Sequence, residues 1–173
     1  MIEQDIFKKF DVLKNLKKDG LNLKDYQELQ NNKKAVLVAV KQNGMALNYV
    51  SDELMGDKEV VMEAVKQNSW ALEFASEELK NDKEFVIEAV KQNGWALQYA
   101  NKEFRANKEI MTEAIKKSPA TFIYASDELR NDKEFMLEAI KIDWICLDYI
   151  SGELRNDKEF MSDVAKVINN FFK

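Results

Sequence analysis

The side chains in this sequence that could do chemistry are carboxylates and amines: 31 Asp and Glu against 26 Lys and Arg, with one Cys and no His. Acids at helical spacing, such as Glu59 with Glu63, Glu84 with Glu88 and Glu134 with Glu138, are the type of pair that moves protons for a substrate. These pairs recur at a fixed interval, however, whereas a catalytic constellation is singular. A residue present once per repeat reads as architecture. Without His there is no Ser-His or Cys-His dyad and no histidine metal ligand. One Cys allows neither an intrachain disulfide nor a thiolate metal cage. Cys146, between Ile145 and Leu147, reads as a small buried hydrophobe. No glycine-rich phosphate-binding signature is present. The residues therefore point to no enzyme, no catalytic group, no metal site and no cofactor.

What the same residues do show is a repeat. At a step of 25, Lys33, Lys58, Lys83, Lys108, Lys133 and Lys158 fall in one column. Ala39, Ala64, Ala89, Ala114 and Ala139 form a second. The aromatic residues Tyr49, Phe74, Tyr99, Tyr124 and Tyr149 form a third. Five repeats occupy 32–156, and 157–173 opens a sixth that closes the chain as a helical cap. Residues 1–31 keep only echoes, such as Glu28-Leu29 in the Glu-Leu columns, and are expected to cap the other end. There Ile2, Ile6, Phe10 and Leu13 make one helix face able to cover the first repeat. No linker interrupts the chain, so 1–173 reads as a single domain.

Three further columns hold only Ser, Asn or Asp, the residues that accept a bond from the orphan N–H groups of a starting helix. They are headed by Asn32, Asn43 and Ser51. Pro119 follows Ser118 in the second column, at the first helical position, where proline costs nothing. Each repeat is thus three helical segments: A over roughly 58–67, B over roughly 69–75 and a single turn C over roughly 77–80, with equivalents every 25 residues. Segment A puts Val60, Val61, Ala64 and Val65 on one face. Such a unit cannot bury that face alone, but stacked copies can. The fold class expected is all-α, a short superhelical α-solenoid of 25-residue repeats with helical caps.

The strings DKEVVMEAVKQNSWALEFASEELKN and DKEFVIEAVKQNGWALQYANKEFRAN resemble the domain of unknown function 4116 repeat family, over roughly residues 32–166. The repeat starting at 107 departs from the pattern, with Asn107 for Asp and Pro119-Ala120-Thr121 for the Gly-Trp-Ala stretch. The resemblance implies a tandem-repeat module. It brings no activity, cofactor or catalytic residue.

The charged and aromatic columns have structural readings. Lys58 sits at the start of segment A, where the helix dipole disfavours a cation. The Glu53 column, five residues earlier, is the partner expected to offset it in a repeated ion pair. The column from Lys41 to Lys166 resembles a nucleic-acid stripe, but Glu63, Glu88, Glu113 and Glu138 lie three residues away and neutralise it. Trp70, Trp95 and the Tyr column are expected in the core or between repeats, with the Tyr hydroxyls at its edge.

The function class that remains is a non-enzymatic protein–protein interaction module or adaptor. The competing readings are an acidic blocker of a basic nucleic-acid-handling protein, and a carboxylate-based enzyme. Repeats 57–81 and 132–156 each set six acids against three bases. The net charge of -5 argues against direct nucleic-acid binding. No stretch nears the roughly 18 apolar residues of a membrane span, and the start lacks the apolar region of a secretory signal, so a cytoplasmic location is expected, with signal-independent export left open. The partner expected is a protein, or a second copy. The candidate contact patch is Ile123, Ile142 and Trp144, three apolar residues in columns otherwise held by polar or small ones.

Overall fold

A computed structural model describes residues 2–171, with side chains from residue 9 onward except at 170. Helix accounts for 83% of the chain and there is no strand among the described residues. The three segments appear in each repeat. In the second repeat (57–81) they are an α-helix Lys58–Gln67, a 3₁₀ helix Ser69–Phe74 and a short α-helix Glu77–Asn81. Segment A ends where the sequence places it. Segment B is the tighter 3₁₀ form, suited to a six-residue piece between two caps.

The caps are the residues the columns name. Asn32, Asp57, Asp82, Asn107, Asp132 and Asp157 each accept a bond from an amide in the first turn of their segment A. Asn43, Asn68, Asn93 and Asp143 do the same for segment B. Ser118 does not; its carbonyl accepts from the Thr121 hydroxyl at 2.7 Å.

Like segments lie against like. Successive A helices touch, as do successive B segments, so the stack has an A, a B and a C side around one core. Val60, Val61, Ala64 and Val65 are fully buried, as are their equivalents through the fifth repeat to within a few per cent. Cys146 occupies the column of Ala46, Ala71 and Ala96 and is fully buried with them. Backbone bonds also cross between repeats: the amides of Ser51, Ser76, Asn101 and Ser126 donate to the carbonyls of Gln30, Met55, Lys80 and Arg105 at 2.9–3.1 Å.

One contact fixes how closely units stack. The first residue of segment B lies against the Ala-column carbonyl of the next unit. A Cβ added to Gly94 would come within 2.7 Å of the Ala114 oxygen, and one on Gly44 closer still to that of Ala64. No described residue has a positive φ, so these glycines supply space rather than an unusual turn.

The N-terminal end differs from expectation, whereas the C-terminal one closes in a long helix as expected. The helix Ile2–Lys18 buries Leu16 and packs Val12 on the core, whereas Phe10 and Leu13 are exposed. The covering face therefore runs through Val12 and Leu16; the side chains of Ile2 and Ile6 lie outside the described residues. After this helix come two 3₁₀ turns, Gly20–Asp25 and Gln27–Leu29. Asp19 caps the first as Asn43 does 24 residues later, and a Cβ on Gly20 would strike the Ala39 oxygen as one on Gly44 strikes Ala64. Residues 2–31 are a further three-segment unit, one residue short between segments B and C. At the other end the helix Lys158–Phe171 runs straight past the point where a segment B would begin; Phe172 lies outside the described residues.

Candidate interaction surface

The columns at the start of segment A form the ladder that holds repeat to repeat. Lys33, Lys58, Lys108 and Lys133 each reach the cap carboxylate of the next repeat: Asp57, Asp82, Asp132 and Asp157, at 2.5–2.8 Å. The partner is thus the following cap and not the Glu53 column. Glu53 instead receives a bond from the Asn31 amide. Lys83 is instructive because its following cap is Asn107, which carries no charge, and Lys83 turns to Glu109 at 2.8 Å. The ammonium groups of Lys58, Lys108 and Lys133 hold the carboxyls of Asp82, Asp132 and Asp157 below the usual range, and the capped amide adds to this. Asp57 is lowered too, although burial, the largest influence on it, acts the other way. These residues are committed to structure. The second lysine column is neutralised in part: Glu63 pairs with Lys66 and Glu113 with Lys116 as the sequence implies, and Asp163 pairs with Lys166, whereas no ion pair joins Glu88 to Lys91 or Glu138 to Lys141 among the described residues.

The B side presents the apolar surface. Three residues per turn eclipse positions i and i+3 in a 3₁₀ helix, so Trp70 and Glu73, Trp95 and Gln98, and Ala120 and Ile123 share one outward edge. The Trp70 indole N–H donates to the Glu73 carboxylate across that edge. Trp70 is 49% exposed and Trp95 37%, so neither is the core residue its apolar segment suggests. Trp95 touches the next repeat edge-on, its ring 6.0 Å from that of Tyr124. The Tyr124 hydroxyl donates to Gln98 Oε1 at 2.6 Å. The Tyr column is half-buried, at the core's edge as its hydroxyls imply.

Ile123 is 52% exposed and Trp144 59%, while Ile142 is half-buried against the core. The two exposed residues border different depressions. Trp144 lies with Leu147, Ile168 and Phe171 around an apolar groove of about 170 Å³. Ile123 lies on a larger one, of about 440 Å³, lined also by Lys102, Arg105, Tyr124 and Arg130.

A third cationic column had no role assigned from the sequence. Lys80, Arg105, Arg130 and Arg155 stand 25 apart. Each donates to a carbonyl at the end of its own segment B: Glu73, Gln98, Ile123 and Leu147. Cations there satisfy orphan carbonyls and oppose the negative end of the helix dipole. The signal was in plain view as the base after the Glu-Leu or Glu-Phe pair of four successive repeats. Its role needed the return of segment C onto segment B, which spacing alone does not give.

Among the described residues no group of His, Cys, Asp and Glu is arranged to hold a metal. Cys146 is no nucleophile here: burial, and then the Asp143 charge, push its thiol up to about 12.

The sequence matches the model of a domain of unknown function, DUF4116, three times, over residues 11–55, 57–105 and 107–155. The chain belongs to this family. The second and third matches each span two 25-residue repeats, so the DUF4116 unit is a repeat pair. The first match begins within the N-terminal helix, in the unit that a 25-residue step fails to reveal. No curated protein and no solved structure matches the chain.

Proposed function

We propose that this protein is a non-enzymatic protein-interaction module, working as an adaptor in the cytosol. The observation that carries the reading is the B side. There Trp70, Trp95, Ile123 and Trp144, one from each of four consecutive repeats, stand exposed on a scaffold whose core is otherwise closed. Exposed aromatic and aliphatic anchors on a rigid frame are what binding surfaces tend to have, and a solenoid varies its outer columns without disturbing the stack. Among the described residues no helix is long and apolar enough to cross a membrane.

The test compares two baits in a pull-down from the native host: the parent chain and Ile123→Asn with Trp144→Gly. The double variant restores the residue types of the other repeats. A protein held by the parent and lost by the variant, at an unchanged melting temperature, supports the adaptor role. Identical captures refute it. Raising the ionic strength separates this from a charge-driven blocker, whose complex weakens steeply with salt.

A further inference from the structure

We propose that the depression between the third and fourth repeats is a carboxylate-recognition site, which takes an acidic segment of a partner protein with an apolar side chain beside the acid. The proposal rests on the interaction reading above and gives it a chemistry.

Arg105 comes from the third repeat and Arg130 from the fourth, and both line this depression. A guanidinium has five N–H donors in a planar fork. In the described contacts each of these arginines uses one, to the Gln98 or the Ile123 carbonyl. The Nε atoms of both are shielded from solvent and have no hydrogen-bond partner. A buried donor left unsatisfied is costly and calls for an explanation. Here the defect appears twice, in two arginines that line the same hollow. Arg155, at the equivalent place one repeat on, is exposed to solvent instead.

The arginines are already held for recognition. The Arg105 guanidinium lies 5.5 Å from the centre of the Tyr124 ring, and Tyr124 is fastened to Gln98. A planar fork with free donors matches a carboxylate in the bidentate manner. The apolar neighbour follows from Ile123, which replaces the Asn48, Glu73, Gln98 and Asp148 of the other repeats and stands on the rim of this hollow. Lys102 adds a third cation, but Asp127 and Glu128 line it as well. Three cations against two acids leave enough positive charge for one carboxylate and too little to neutralise a chain of phosphates, so a peptide is favoured over nucleic acid.

The experiment is fluorescence anisotropy on the full chain with a fluorescein-labelled Leu-Asp-Phe-Glu-Leu peptide. Its twin with lysine at both acidic positions and a short single-stranded RNA are compared. The acidic peptide is expected to bind, and the lysine peptide and RNA to bind much more weakly or not at all. Arg105→Gln with Arg130→Gln should weaken binding by about tenfold or more, as loss of charge-assisted bonds does. The melting temperature of this variant reports whether it folds without the arginine bonds to the segment B carbonyls. Ile123→Asn, made separately, should also weaken binding and should not disturb folding. Lys24→Gln with Lys34→Gln removes the same charge at a distance and should leave binding unchanged. Equal binding by the lysine peptide, tighter binding by RNA, or an acidic peptide indifferent to the arginine and Ile123 variants would overturn the proposal. If it falls while Ile123→Asn with Trp144→Gly still loses a host partner, the carboxylate site is wrong and the interaction module stands.

Discussion

At the scale of single residues, small side chains set the stacking distance. Gly44→Ala should destabilise the protein by ~1–3 kcal/mol, the usual cost of overpacking, because the new methyl meets the backbone oxygen of Ala64. Gly152 is the opposite case. It opens a segment C with nothing within 4 Å of an added Cβ, and Gly152→Ala should stabilise by about 0.5–1 kcal/mol. Denaturant unfolding of the two variants checks both signs. Ala89, fully buried, and Ile87, half-buried, separate in the same way. Ala89→Leu should lower the melting temperature more than Ile87→Thr, since Thr112 and Ser162 already occupy the latter column. These column identities were legible in the sequence. The exposure of Trp70 and Trp95 was not. Their apolar segment suggests core, but the turn is 3₁₀, and its three-residue period aligns them with Glu73 and Gln98 on the outer edge.

At the scale of elements, one side chain often serves two. Asp82 caps its own segment A and receives Lys58 from the repeat before. Asp82→Asn keeps the cap and loses the ion pair. It should cost less than ~1 kcal/mol, and its cost should shrink with salt. Asp82→Ala loses both and should cost ~1 kcal/mol more, the usual worth of an N-cap. The ladder also sets a pH window. Carboxyls lowered by their lysines contribute stability above their unfolded value of about pH 4, lost as the pH falls through the lower folded one. Lys33, Lys58, Lys108 and Lys133 are raised by the same bonds to Asp57, Asp82, Asp132 and Asp157. Their share is complete below about pH 10.4 and is lost as the pH rises through the folded value. Thermal melts should therefore show a plateau between these limits and a fall on either side. That Lys58 needed a partner could be read from the dipole alone. Which partner it takes depends on how far one repeat is offset from the next, and sequence columns carry no such distance.

At the scale of the whole molecule, the period of 25 was enough to define five repeats, their three segments and one continuous core. It was also the reason the N-terminal unit went unseen. With Asp19 placed 24 residues before Asn43, the columns of segments A and B slip by one there, while Glu28-Leu29 keep the step of 25 to Glu53-Leu54; the contacts remain those of a repeat. Leu16 and Leu23 of that unit are fully buried, so removing residues 1–20 takes a working layer from the stack. The truncated chain should lose solubility and melt at a lower temperature. A product as soluble and as stable as the parent would show that this layer is dispensable.

The backbone bonds from Ser51, Ser76, Asn101 and Ser126 to the preceding unit act like the teeth of a zip. The series stops there: among the described residues no such bond ties Ser151 to Arg130. Fraying should therefore start at the C-terminal end and travel inward one tooth at a time. Amide exchange with deuterium would record it as protection that is highest near Ser76 and Asn101, with the Ser151 amide exchanging early. Under a stretching force the rod would yield in steps from that end, so whatever grips the Trp144 groove holds the loosest link of the chain.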